Sequence, residues 1–103
     1  MIYTIEEIKE KIRPIAEKYN LPAVYLFGSY ARGEADEKSD IDIMVNLDGT
    51  AVKGLFDYAG VYLDITDRFE KEIDMIEEAA LRETRDKMFV ANIKKDMVNI
   101  YAG

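Results

Sequence analysis

Among its 103 residues the chain has no cysteine and no histidine, and these two absences close off a good deal of chemistry. No disulfide, thiol nucleophile, imidazole base or ordinary zinc site can be built. Any reaction must run on carboxylates, hydroxyls, lysine and arginine, and an oxygen-only donor set favours magnesium or manganese over softer metals. Long apolar runs are missing as well. None approaches the ~20 residues of a membrane span, and Met1-Ile2-Tyr3-Thr4-Ile5-Glu6 lacks the character of a signal peptide, so no membrane association and a cytoplasmic location are expected. Positive charge is scarce: 14 Lys and Arg stand against 21 Asp and Glu, a net charge of −7. That deficit argues against sequence-independent nucleic-acid binding, which depends on neutralising phosphates. It suits a basic protein partner, or simply a solubilising acidic surface. With 49% hydrophobic and 34% charged residues the composition is that of a globular chain. The length suits one domain over residues 1–103, with no room for a separate substrate-binding module.

The chemistry that remains concentrates in two stretches, Phe27-Gly28-Ser29-Tyr30-Ala31-Arg32-Gly33 and Ser39-Asp40-Ile41-Asp42-Ile43-Met44-Val45. In a strand alternate side chains point to opposite faces, so Asp40 and Asp42 emerge together while Ile41, Ile43, Val45 and Leu47 emerge on the other side. Paired carboxylates repel unless a proton or a hard cation lies between them, and the cation gives a divalent metal site. The rival is an ordinary acidic strand face, but aspartate is disfavoured in strands, so two beside four apolar residues need a reason. Gly28-Ser29 falls where an apolar strand gives way to a helical turn whose unpaired N–H groups can receive a phosphate. Ser29 could instead only cap that helix. Metal-binding carboxylates beside an anion cradle suggest a nucleoside triphosphate held as its metal complex.

Gly28-Ser29, ten residues and then Asp40-x-Asp42 resembles the signature of the DNA polymerase beta nucleotidyltransferase superfamily. With Ala31-Arg32-Gly33 and Ser39 included, the pattern is most similar to its smallest branch, the minimal nucleotidyltransferases, over nearly the whole chain. From average residue usage, a Gly-Ser and an Asp-x-Asp at this spacing should arise by accident in roughly one in a thousand chains of this length. The resemblance implies an α/β (α+β) fold, a small mixed sheet of about three strands flanked by helices. It implies ATP as substrate, with Mg2+ or Mn2+ held by Asp40, Asp42 and a third carboxylate, and phosphates against Gly28, Ser29, Arg32 and Ser39. It further implies an antitoxin role, transferring AMP to a tyrosine of a cognate HEPN ribonuclease toxin, with a homodimer or hetero-oligomer open. Two rivals stand beside it. One is nucleotidyl transfer to a small molecule such as an aminoglycoside; the other is neutralisation of a partner by binding alone.

Around these stretches the pattern is that of a supporting scaffold. Ile5, Ile8, Ile12, Ile15 and Tyr19 recur at three and four over residues 4–19, with Thr4 and Glu7 as a capping box. Pro14 inside this helix predicts a bend costing about 3 kcal/mol if uncompensated. Residues 23–27 read as a buried strand, 29–35 as a short helix, and Arg32 could pair with Glu34, Asp36 or Glu37 instead of a phosphate. Residues 50–68 suggest a second long helix with Val52, Leu55, Phe56, Ala59 and Leu63 on its apolar side, and with Tyr58 and Tyr62 at the edge of the core. Residues 69–77 read as a third strand. There Asp74 interrupts an apolar stretch, costly unless paired, hydrogen-bonded or metal-linked; the resemblance implies that it is the third catalytic carboxylate, with Asp64 and Asp67, which both precede the strand, as rivals. From Glu78 a single long helix is expected, its stripe formed by Phe89, Ile93, Met97 and Ile100, with Arg82, Arg85, Lys87, Lys94 and Lys95 on a solvated face. That stripe could also dock a partner.

Overall fold

The computed structural model describes residues 1–103. Helix α1 (Ile5–Lys18) leads into strand β1 (Ala23–Phe27), the single-turn helix α2 (Gly28–Arg32) and strand β2 (Ile41–Asn46). Helix α3 (Gly54–Thr66) then crosses over to strand β3 (Ile73–Glu77), followed by helices α4 (Glu78–Glu83) and α5 (Lys87–Asp96) and a last strand, β4 (Val98–Ala102). The strands form one mixed sheet in the order β3-β2-β1-β4. β1 runs antiparallel to both β2 and β4, whereas β2 and β3 are parallel. A parallel pair cannot be closed by a hairpin, which is why the α3 crossover lies between them.

One face of the sheet carries most of the core. Val24, Leu26, Ile41, Ile43, Val45, Ile73 and Ile100 pack against Ile8, Ile12 and Ile15 of α1 and Val61 and Ile65 of α3. Burying each of these aliphatic side chains contributes about 1.5–3 kcal/mol. The opposite face holds a smaller cluster of Met44, Leu81 and Ile93, with Tyr25, Phe27, Ile76 and Val90 around it. It is closed by α4 and α5, and it leaves the first residues of β2 and β3 uncovered.

The capping box of α1 is formed: Thr4 Oγ accepts from the Glu7 N–H, and Glu7 accepts from the Thr4 N–H. The helix continues through Pro14 to Lys18. The carbonyl that proline leaves without its helical donor belongs to Glu10, which is exposed like Pro14 itself, so the loss falls on the solvent side and the helix is not broken.

Three expectations are corrected. The sheet has four strands, because Val98-Asn99-Ile100-Tyr101 alternates in burial and pairs with β1 instead of extending a helix. The long C-terminal helix is two short ones, interrupted at Thr84–Asp86, where the Asp86 carboxylate caps α5 by accepting from the Phe89 N–H. The apolar side assigned to residues 50–68 is wrong at three of its five positions, Val52 being buried and Ala59 half-buried. Val61 and Ile65 face the core, while Leu55, Phe56 and Leu63 are 82%, 90% and 57% exposed. Tyr58 and Tyr62 do pack at the core edge, and the Tyr58 hydroxyl donates to the Met75 carbonyl at 3.0 Å.

Candidate active site

Strand pairing decides the geometry of the acids. In the parallel β2–β3 ladder Asp42 is the direct register partner of Asp74, one step beyond Ile41 and Ile73. Neighbouring strands are about 4.8 Å apart and side chains in register point the same way, so the two carboxylates stand together. Asp74 is exposed on the uncovered part of the sheet. Its apparent place within an apolar core stretch is an effect of alternation: Ile73 is buried and Asp74 faces solvent. Asp40 is exposed at the entrance to β2.

Asp42 carries the electrostatic strain of this arrangement. Burial, the charge of Asp74, a hydrogen bond with Asp74 and the charge of Asp40 push its carboxyl from 3.8 up to about 6, while Arg32 opposes the shift. A cation would relieve all the repulsive contributions at once. The donor set therefore fits a divalent ion in type and charge. No three acids are gathered into a cage that would hold an ion unaided. That suits a cation bound by one or two carboxylates together with substrate phosphates, as magnesium commonly is.

Gly28 forms the wall beside Asp42. Its φ of +73° lies in the region only glycine enters freely, and a Cβ built there would fall 2.1 Å from Asp42 Oδ2. Backbone and carboxylate thus approach as closely as the missing side chain allows. α2 starts directly from β1, with Phe27 as its N-cap and no side chain capping it. Ser29 is therefore not the cap, and its side chain is left for another role at the same corner.

Arg32 makes the pair with Glu34 at 3.0 Å and also a second one, with Asp96 Oδ2 at 3.0 Å, which ties α2 to the end of α5. Hydrogen bonds from Arg32 to both partners, Glu34 first, raise its pKa above the ordinary arginine value. Ser39 is engaged locally: its hydroxyl donates to Asp36 Oδ1 and accepts from the Asp36 N–H, closing the loop before Asp40. Asp64, the rival acid, lies apart, bonded to Lys18 Nζ at 2.8 Å and to the Tyr19 hydroxyl.

Lys71 was missed in the sequence. Its ammonium donates to the carbonyls of Asp36, Glu37 and Ser39 at 3.1, 2.8 and 3.2 Å and lies 5.8 Å from the Tyr30 ring centroid. It pins the loop that carries Asp40 to the start of β3, aided by the Ile41 N–H bonding the Glu72 carbonyl at 3.0 Å. The available signal was a lysine three residues before Asp74, but its carbonyl partners carry no side-chain signature.

The sequence profile described as "Polymerase beta, Nucleotidyltransferase" matches residues 10–102. A candidate protein adenylyltransferase of Methanocaldococcus jannaschii is 33% identical over 105 aligned positions, covering 94% of this chain and 98% of the other. Among solved structures, a chain of a toxin-antitoxin complex with AMP-PNP superposes with a TM-score of 0.68 at 20% identity, covering 92% of this chain and 73% of that one. A chain from the complex of a tri-AMPylated Shewanella oneidensis HEPN toxin with an MNT antitoxin gives 0.65 at 16% identity, covering 97% and 74%. These two structural likenesses establish the fold.

Proposed function

The chain belongs to the polymerase beta nucleotidyltransferase family, and from that premise we propose that it is a protein adenylyltransferase. It would move AMP from ATP to a hydroxyl, a tyrosine of a HEPN-type toxin, and so act as an antitoxin. The observation that carries this reading is the acidic pair in register, Asp42 beside Asp74, with Gly28 packed against Asp42.

Each residue then has a task. Gly28 and Ser29 receive the outer phosphates at the β1–α2 corner, where backbone N–H groups are free of helical partners. Arg32 adds charge there, at the expense of one of its two carboxylate partners. Ser39 and Lys71 hold the loop that presents Asp40. Asp42 and Asp74, with Asp40 on the adjoining loop and substrate phosphates completing the donor set, would hold Mg2+ or Mn2+, which supplies charge neutralisation on the phosphates and lowers the pKa of the attacking hydroxyl. Asp74, exposed on the strand beside Asp42, accepts the proton of that hydroxyl as its oxygen bonds the α-phosphorus; the bond to the β-phosphate oxygen breaks and pyrophosphate departs. Catalysis by positioning and charge needs no histidine.

The test is incubation with ATP, magnesium and a candidate HEPN-type toxin, followed by intact-mass spectrometry. Mass additions of AMP on the toxin are expected, lost with EDTA and in Asp42→Asn. Normal nucleotide binding with no added mass would overturn the acceptor assignment. The exposed Leu55, Phe56 and Leu63 favour a second reading, in which apolar docking contributes to neutralisation without transfer. Equal protection from the toxin by wild type and by Asp40→Asn/Asp42→Asn would select it.

A further inference from the structure

We infer that the cleft between α4, α5 and Met44 is the subsite for the nucleotide's base, and that Glu78 reads the base by accepting a hydrogen bond from its exocyclic amine. This inference rests on the adenylyltransferase reading. Four observations bear on it, and the first is placement. Alternation puts Met44 on the same face of β2 as Asp42, two residues on, which is roughly 6.6 Å along a strand. It likewise puts Ile76 on the same face of β3 as Asp74. A triphosphate anchored over Asp42 therefore directs its nucleoside either off the protein or along the strands towards Met44.

The second observation is a cavity at that place. It measures about 270 Å³ and is lined by Met44, Glu78, Leu81, Arg82, Lys94 and Met97. Small-molecule pockets typically begin near 300 Å³, so the cleft takes a flat heterocycle and leaves the phosphates outside, above the acids. The second wall also connects to the site. Met97 directly follows Asp96, which is bonded to Arg32, and Arg32 is close enough for its charge to be felt at Asp42.

The third observation is that Glu78 Oε2 is buried and has no hydrogen-bond partner. A buried acceptor left empty costs free energy unless something that binds there donates to it. The cations on the rim do not serve it: Arg82 is bonded to Asp48 at 3.2 Å, and Lys94 forms no ion pair. The fourth is the chemistry of the lining. Two thioethers and a leucine make soft, adaptable walls for an aromatic ring, and one carboxylate oxygen supplies a single acceptor at its edge. That combination fits an aminated base, and adenine offers one exocyclic amine at the ring edge.

Two measurements on the full chain with Mg2+ test this. In the first, the methyl groups of Met44 and Met97 are followed by NMR during titration with AMP-PNP and, separately, with tripolyphosphate. Both methyls should shift with the nucleotide, whose ring current they sense, and stay in place with tripolyphosphate. In the second, affinities for ATP and ITP are compared, since ITP carries a carbonyl where ATP carries the amine. Wild type should prefer ATP by about ten- to a hundredfold, the range expected for a hydrogen bond to a charged group. Glu78→Gln, which can turn either an acceptor or a donor inward, should reduce that preference to within about threefold and bind ITP better than wild type does. Nucleotide binding with unmoved methyls, or a preference unchanged in Glu78→Gln, would overturn the subsite and leave the adenylyltransferase reading standing. Absence of binding by both nucleotide and tripolyphosphate would remove that reading and the subsite with it.

Discussion

Asp42→Asn should make the protein more stable while abolishing transfer. In the folded protein the Asp42 carboxyl is raised from 3.8 to about 6, chiefly by burial and then by Asp74 and Asp40. At 1.36 kcal/mol for each pH unit, that distance corresponds to about 3 kcal/mol of disfavoured ionisation. Asp42 is only half-buried, and solvent screening reduces the figure to about 1–1.5 kcal/mol. The sign follows from a folded pKa above the unfolded one. Below about pH 4 the carboxyl is protonated in both states and costs nothing. As pH rises from 4 to beyond 6 the unfolded chain ionises freely and the folded one does not, so stability falls. An uncharged asparagine, which keeps the shape and can donate to Asp74, escapes the penalty. In EDTA at pH 8 the variant should exceed wild type by about 1–1.5 kcal/mol, or about 4–12 °C in Tm for a domain of this size, and the gap should close towards pH 4. The readout is the difference between the two proteins in urea or thermal melts. Asp36, Glu37 and Asp64, held below their ordinary values by hydrogen bonds to Lys38, the N-terminus and Lys18 respectively, drive the absolute pH dependence the other way. A variant no more stable at pH 8, or a gap independent of pH, would refute the account of Asp42.

Other perturbations have expected outcomes of their own. Gly28→Ala drives a methyl into Asp42 Oδ2 from a positive-φ backbone; it should cost about 1–3 kcal/mol in urea melts and remove AMP-PNP binding in calorimetry. Lys71→Met takes the donor from three loop carbonyls, so amide exchange at residues 36–40 should accelerate at least tenfold, with weaker Mn2+ binding. Metal binding must displace the proton that Asp42 retains up to about pH 6, so Mn2+ affinity should rise between pH 5 and 7 and then level off. Asp96→Asn frees Arg32 from one of its partners; if Arg32 serves the phosphates, tripolyphosphate should bind at least as tightly as in wild type, whereas Arg32→Ala should weaken it several-fold.

What could be read ahead of the structure followed periodicity and fixed spacing. The α1 stripe, its capping box, the β1 strand and the alternation that separates Asp42 from Ile41 and Ile43 are local properties, and each was legible. Asp74 was legible as an acid out of place, although not the reason it is tolerated there: exposure depended on where α4 and α5 stop covering the sheet. The C-terminal region misled because Phe89, Ile93, Met97 and Ile100 satisfy a helical period by coincidence across a strand boundary. Only pairing with β1, which no local pattern encodes, turns Val98–Ala102 into β4. α3 failed for a related reason. Its faces are nearly all apolar, so the sequence did not specify which side the core would take. Lys71 and the Arg32–Asp96 pair were invisible because long-range polar contacts leave no periodic trace.

The parallel β2–β3 junction has a kinetic corollary. Asp42 and Asp74 meet only after the intervening chain has wound through α3 and docked, a longer loop closure than the one that pairs β1 with β2, although shorter than the one that brings β4 to β1. That seam also brings two like charges together, which weakens it in the empty protein. A nucleotide with its cation would bridge that seam as a clasp. Its arrival should therefore register most strongly as slowed amide exchange in β3, well ahead of any change in β1.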